Sequence, residues 1–190
     1  DRPGLDRVLR ALHQGGDDIR LVGGVVRDFL RGLGAGEIDL ATTHLPQRTQ
    51  TLLEQAGIKT VPVGIEFGTV IGVVDGESYE ITTLRSDVET DGRHAVVEFS
   101  TDWALDAGRR DLTINAMSVS LDGTLHDYCG GVDDLKAGRL RLIGVPIDRL
   151  HEDYLRLLRV FRFASEMGDG FAIEDETLTA CTQAQSGLVQ

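Results

Sequence analysis

Apolar residues at Leu5, Val8, Leu9 and Leu12 share one side of a helical period and predict a helix over Leu5–His13. A mainly apolar run from Ile19 to Val22 then reads as a strand that stops at Gly23-Gly24, and Val25–Leu33 returns to helical spacing. Glu37 to Thr42 predicts a second short strand. Side chains alternate across a strand, so Glu37 and Asp39 share one face while Ile38 turns into the core. Pro46–Ala56 predicts a helix with Pro in its first turn and Gly57 as its stop. Strands follow at Lys59–Val63, Thr69–Val74 and Ser78–Leu84, the last two joined by Asp75-Gly76, a hairpin signal. Glu80 and Thr82 alternate with Ile81 on the third of these. Arg85–His94 is polar and contains Gly, which predicts a mobile loop, and Val96–Phe99 resumes as a strand. From Asp102 the pattern is helical, interrupted by a strand pair near Met117–Leu121 and Thr124–Tyr128, and Pro146 opens a mostly helical tail, 146–190. Helix, mixed strands, then helices indicate an α/β (α+β) head, 1–145, with a helical extension, 146–190.

Bulk properties narrow the functions. A chain of 190 residues holds one well-buried core or one core and the start of another. Its 41% hydrophobic and 26% charged content are those of an ordinary water-soluble domain. No run of about 18 apolar residues exists, so no membrane partner is expected. Cys129 and Cys181 lie far apart with no Cys-x-x-Cys spacing, which argues against a disulfide framework or zinc site and fits a reducing cytoplasm. The start, Asp1-Arg2-Pro3-Gly4, is no signal peptide and lacks an initiator Met, so a trimmed chain is expected. A net charge of −12 argues against a free-standing nucleic-acid binder, because phosphate contacts need cations. Among the 19 Lys and Arg only Lys59 and Lys136 are lysines, and several arginines fall inside the clusters below. A large RNA partner would need a basic surface from elsewhere.

Three clusters suggest chemistry. A strand that breaks at Gly23-Gly24 into a helix leaves backbone N–H groups free, a seat for phosphate. Glu37 and Asp39, side by side, repel unless a cation lies between them, and hard cations take oxygen ligands that nucleotide phosphates can complete. A phosphate seat followed by a carboxylate pair points to metal-assisted phosphoryl chemistry. The plain alternatives are a turn and a solvated strand face. In the second cluster, Arg109 to Met117, a helix would put Asp111 and Asn115 on one face, able to bond ribose hydroxyls while the arginines fork onto phosphate. A helix-start dipole contact is the alternative there. In the third, His151 to Phe163, about 100° per residue makes Asp153 and Arg156 neighbours and turns Arg162 to the far side. An acceptor beside a donor fork can read a base edge, or it can be a surface ion pair.

In order, Gly23-Gly24-x-x-Arg27-Asp28, Glu37-x-Asp39, Arg109-Arg110-Asp111-x-x-x-Asn115, Gly130-Gly131-x-x-Asp134-Leu135 and Glu152-Asp153-x-x-Arg156 resemble the class II CCA-adding tRNA nucleotidyltransferase and bacterial poly(A) polymerase family. The resemblance spans residues 18–168. It implies a polymerase-β-like nucleotidyltransferase head with a mixed sheet on a helical neck, and Mg²⁺ (two ions, with Mn²⁺ a substitute) as cofactor. It implies CTP and ATP as substrates and the tRNA 3′ end as partner, held mainly by body and tail domains that follow in the family. It assigns Glu37 and Asp39 to the metals, and Gly23, Gly24 and Arg27 to the triphosphate. Arg110, Asp111 and Asn115 fall to ribose and phosphate, and Asp153 and Arg156 to the base, with Arg159 counted beside them. Glu80 is a further candidate catalytic carboxylate. Two positions depart from the family: Glu37 stands where Asp is usual, and Phe67 where His is more frequent. The expected activity is CCA addition, with poly(A) addition or a catalytically weak nucleotide-binding module as rivals. Retention of the loop near 85–95, which in the family goes with adding the terminal A, speaks against an enzyme adding C alone.

Overall fold

The computed structural model describes residues 2–16, 18–34, 36–61, 63–90 and 95–189, with backbone alone for 87–90, 95–97 and 189. Helix α1 (Pro3–Leu12) precedes strand β1 (Ile19–Val22), helix α2 (Gly24–Leu30) and strand β2 (Asp39–Thr42). Helix α3 (Pro46–Gln55) leads to β3 (Lys59–Val61), β4 (Thr69–Val74) and β5 (Glu77–Thr83). These strands join β8 (Ser118–Ser120) and β9 (Leu125–His126) in a seven-stranded mixed sheet of order β3-β4-β5-β2-β1-β8-β9. The β2–β5 pair is parallel and the other pairings in the sheet are antiparallel.

The pleat separates core from site. On one face Ile19, Leu40, Val70, Val74, Tyr79 and Ile81 are buried against Val8 and Leu12 of α1 and Leu52 and Leu53 of α3. Ile38 joins this core, as its position beside Asp39 predicts. The opposite face carries Asp39 and Glu80, which are register partners across β2 and β5. Asp75 and Gly76 both take positive φ, 53° and 85°, the geometry of the predicted hairpin turn.

Arg85–Thr90 departs from its expectation as part of a loop. Arg85–Thr90 is strand β6 and pairs with β7 (Ala95–Phe99) in a separate two-stranded ribbon; residues 91–94 lie outside the described residues. Polar composition hid the strand, because its stabilisation comes from the partner across the ribbon.

Helix α4 (Trp103–Gly108) is capped by Asp102, whose carboxylate accepts from the Ala104 and Leu105 amides. Beyond it come α5 (Gly131–Ala137), β10 (Arg139–Leu140), α6 (Pro146–Glu152), α7 (Leu155–Met167), β11 (Ala172–Ile173) and α8 (Asp175–Ala184). A second core forms here from Leu150, Leu157, Val160, Phe163, Ala180 and Cys181 together with Leu112, Ile114, Leu140 and Leu142. Leu135 of α5 packs against both cores and ties them together. No helix among the described residues is long and apolar enough to cross a membrane.

Candidate active site

Between the open face of the sheet and helix α7 lies a cleft of about 690 Å³, and every residue assigned to a site from the sequence lines it. One wall is the turn at Gly23-Gly24. Gly23 adopts φ 76°, ψ −132°, a backbone state that side chains disfavour, and so lets β1 run directly into α2. The Gly23 amide donates to the Met117 carbonyl (3.2 Å), and Gly24 and Val25 form the first turn of α2 on this wall. Arg27, one turn on, is held in the cleft from several sides. It forks onto Asp28 (2.8 and 3.0 Å), donates to Asn115 Oδ1 (2.7 Å) and lies 5.5 Å over the Phe163 ring.

The floor is acidic. Glu37 sits just ahead of β2, and Asp39 and Glu80 stand side by side in the parallel β2–β5 register. Burial raises the Asp39 carboxyl above its ordinary range, Glu37 raises it further and Arg110 opposes both. Burial likewise raises Glu80, with Asp39 and Glu37 adding to it and Arg85 opposing. Such mutual repulsion is relieved by an inserted cation. Among the described residues no group of three or more His, Cys, Asp or Glu side chains forms a self-contained metal site.

The second cluster reaches the cleft by a different backbone from the helix expected. Asp111 lies at a bend and Leu112 is extended: Leu112 bridges Leu142, and the Ile143 amide donates to the Asp111 carbonyl (2.9 Å). A 3₁₀ turn covers only Thr113–Asn115, so Asp111 and Asn115 share the cleft without sharing a helix face. A non-local pairing decided this backbone, and helical spacing cannot reveal it.

The third cluster is also rearranged. Asp153 breaks the helix, with φ −154° and ψ 104°, and its Oδ1 caps the Leu155 amide (2.9 Å). The Asp153–Arg156 neighbour pair on one rigid helix is therefore not formed. Arg156, 8% exposed, instead donates to Asp111 (3.2 Å), Glu152 (2.5 Å) and the Arg149 carbonyl (2.7 Å). Arg159 also reaches Asp111, at 2.6 Å. With the helix starting afresh at Leu155, Arg162 does not point away: it lines the cleft and lies 4.9 Å over the Phe163 ring. Arg85, Arg162 and Phe163 were not assigned from sequence yet line the cleft, and Arg109, offered there only as a phosphate fork beside Arg110, lines it too. The repeat of arginines at every third position of α7 was a usable signal for Arg162; Arg85 carried none. Phe67 is half exposed, and its backbone rather than its ring takes part, accepting from Arg85 (2.5 Å).

Comparison with known proteins places this geometry. The family described as "Poly A polymerase head domain" matches residues 19–141. The chain is 45% identical over 187 residues to the human protein named CCA tRNA nucleotidyltransferase 1, mitochondrial, covering 97% of this chain and 43% of that protein. It is 40% identical over 183 residues to the Bacillus subtilis CCA-adding enzyme, covering 95% of this chain and 45% of that one. The crystal structure of the Bacillus stearothermophilus CCA-adding enzyme in complex with CTP superposes with a TM-score of 0.83 at 34% identity, covering 96% of this chain and 44% of that one. A tRNA nucleotidyltransferase complexed with a primer tRNA and an incoming ATP analog gives 0.73 at 31% identity, over 90% of this chain and 48% of that one. The chain spans less than half the length of each of these proteins.

Proposed function

The chain belongs to the family of the poly(A) polymerase head domain and the CCA-adding enzymes, and from that premise we propose a metal-dependent, template-independent nucleotidyltransferase. It adds CMP and AMP from CTP and ATP to a tRNA 3′ end and releases pyrophosphate. The observation that carries this reading is the meeting of a phosphate seat, a carboxylate floor and a set of arginines in one cleft. Each supplies what an α-phosphate displacement needs: a held triphosphate, a cation seat and donors for nucleoside and phosphate.

Glu37 and Asp39, with Glu80 beside them, would hold two Mg²⁺, with Mn²⁺ as a substitute. The fit rests on their chemistry: an oxygen-only, negatively charged donor set suits a hard divalent cation, and nucleotide phosphates complete its shell. Such ions, when bound, activate the attacking 3′-hydroxyl and offset charge on the leaving pyrophosphate. The chain's own residues do the rest. The Gly24 and Val25 amides, Arg27 and Arg110 hold phosphate oxygens, and Asp111 and Asn115 face the ribose. Asp153, Arg156 and Arg159 offer an acceptor and two donor forks to the base. Asp111 grips both arginines, so ribose and base contacts are mechanically linked in this reading.

We assign residues 1–145 to the head and 146–190 to the start of a neck; the family match ending at residue 141 supports that division. tRNA would be held mainly by surfaces outside these residues, since the relatives are more than twice as long. The cysteine usage supports a reducing compartment, for which the cytoplasm is our reading; the human and zebrafish relatives are named as mitochondrial. The discriminating assay offers labelled CTP and ATP, singly and together, with tRNA lacking its 3′ CCA. Dependence of AMP addition on prior CMP addition supports CCA synthesis. Long products from ATP alone indicate poly(A) addition, and nucleotide binding without pyrophosphate release indicates a weak binding module.

A further inference from the structure

Asp106 was not singled out by spacing or resemblance, and it does not line the cleft. It lies on α4 with 3% exposure, yet its carboxylate is crowded with donors from three residues that do line the cleft. Oδ1 accepts from Arg109 Nε (2.9 Å) and from the backbone amide of Arg85 (3.3 Å). Oδ2 accepts from Arg110 Nη2 (3.1 Å) and Nε (3.4 Å). In Arg109 also the Nε–Nη2 edge faces Asp106, with Nη2 at 2.9 Å. Each guanidinium therefore turns one edge to the buried carboxylate and keeps Nη1 on the other side. For Arg110 that direction is defined: its Nη1 lies 3.4 Å from the point where a Cβ on Gly23 would stand. The outer edge of Arg110 is thus presented to the phosphate seat, across a residue with no side chain to block it.

We propose that Asp106 is a positioning residue that aims Arg110, and Arg109 beside it, at the triphosphate. A guanidinium on a flexible stem loses less freedom on binding an anion when a buried acceptor already fixes it. Nearby charge alone would not do this, because the pairs must be directional and shielded from water to hold an angle. The inference rests on the reading of this cleft as a triphosphate site.

The experiment measures binding of CTP and of inorganic tripolyphosphate, each with Mg²⁺, by calorimetry on the 190-residue chain. The parent is compared with Asp106→Asn, Asp106→Glu and Asp102→Ala. Asparagine turns an NH₂ donor toward guanidinium donors and releases one arginine, so affinity for both ligands falls about tenfold, the scale of one charge-assisted bond. Glutamate keeps the charge and restores part of that loss. Asp102→Ala removes the α4 cap and lowers the melting temperature while leaving affinity unchanged. An Asp106→Asn affinity for tripolyphosphate within twofold of the parent overturns the proposal. So does an equal affinity loss in Asp102→Ala, which would make helix integrity the cause. A parent chain that binds tripolyphosphate but transfers no nucleotide refutes the transfer reading and leaves this one standing. A parent that binds neither ligand refutes both.

Discussion

At the scale of single residues, the acidic floor is the most informative group. Glu37 is one methylene longer than the aspartate usual in its family position, so its side chain must fold back to set its carboxylate beside Asp39. Mg²⁺ demands near-octahedral geometry at short distance, and larger Mn²⁺ tolerates a displaced ligand. Glu37→Asp is expected to keep its transfer rate or raise it with Mg²⁺, with a smaller change in Mn²⁺. Glu37→Gln loses activity in both ions. Rates of the three proteins in both metals check this, and a glutamine variant as fast as the parent removes Glu37 from the metal seat. Arg156 raises a different question, since its guanidinium is already engaged by Asp111, Glu152 and the Arg149 carbonyl. If it reads the base, Arg156→Ala relaxes selection among CTP, ATP, GTP and UTP by about 1–3 kcal/mol, more than it weakens triphosphate binding. Unchanged selectivity in a four-nucleotide competition would reduce Arg156 to a strut between Asp111 and Glu152.

At the scale of elements, the cleft depends on how α5 meets the turn at Thr113–Asn115. A Cβ on Gly131 would lie 2.2 Å from the Thr113 carbonyl oxygen. Buried Asp134 accepts from the Thr113 hydroxyl at 2.6 Å and anchors the turn from the same side. Gly131→Ala must push the turn away, at a cost of about 2–3 kcal/mol, and it carries Asn115 off Arg27. A lower melting temperature together with weaker nucleotide binding is expected; normal values for both would show that the helix can slide without cost. The Gly130-Gly131-x-x-Asp134 pattern was readable, but its work as a contact between α5 and a distant turn was not. Local periodicity did reveal β1, β4 and α3, with bounds within a residue of those observed, because each buries a regular face. It missed β6, the extended Leu112 and the break at Asp153. Cross-strand partners decide the first two, the neighbouring strand β7 for β6 and the distant Leu142 for Leu112. Asp153 caps a new helix without any Gly or Pro to announce it. Site residues were more legible than their geometry, since their order along the chain survives while their partners change.

For the molecule as a whole, charge sets the limit. With a net charge of −12 and many of its arginines turned into the cleft, the chain offers few cations to an RNA backbone. Residues 1–190 alone are expected to bind tRNA more weakly than about 10 µM at physiological salt. Filter binding checks this, and micromolar or tighter affinity would mean a surface that net charge does not reveal. Weak RNA binding does not prevent chemistry at high RNA concentration, so the central claim can be tested on this chain directly. The most direct measurement is pyrophosphate release and labelled CMP incorporation into tRNA lacking its CCA, at low salt with Mg²⁺, for the parent and Asp39→Ala. Circular dichroism of both proteins accompanies it. The account predicts transfer by the parent and loss of at least a thousandfold, about 4 kcal/mol, in a variant with unchanged circular dichroism, because Asp39 faces the cleft rather than the core. Asp39→Ala activity near the parent level would contradict the claim that this cleft is where nucleotide transfer occurs.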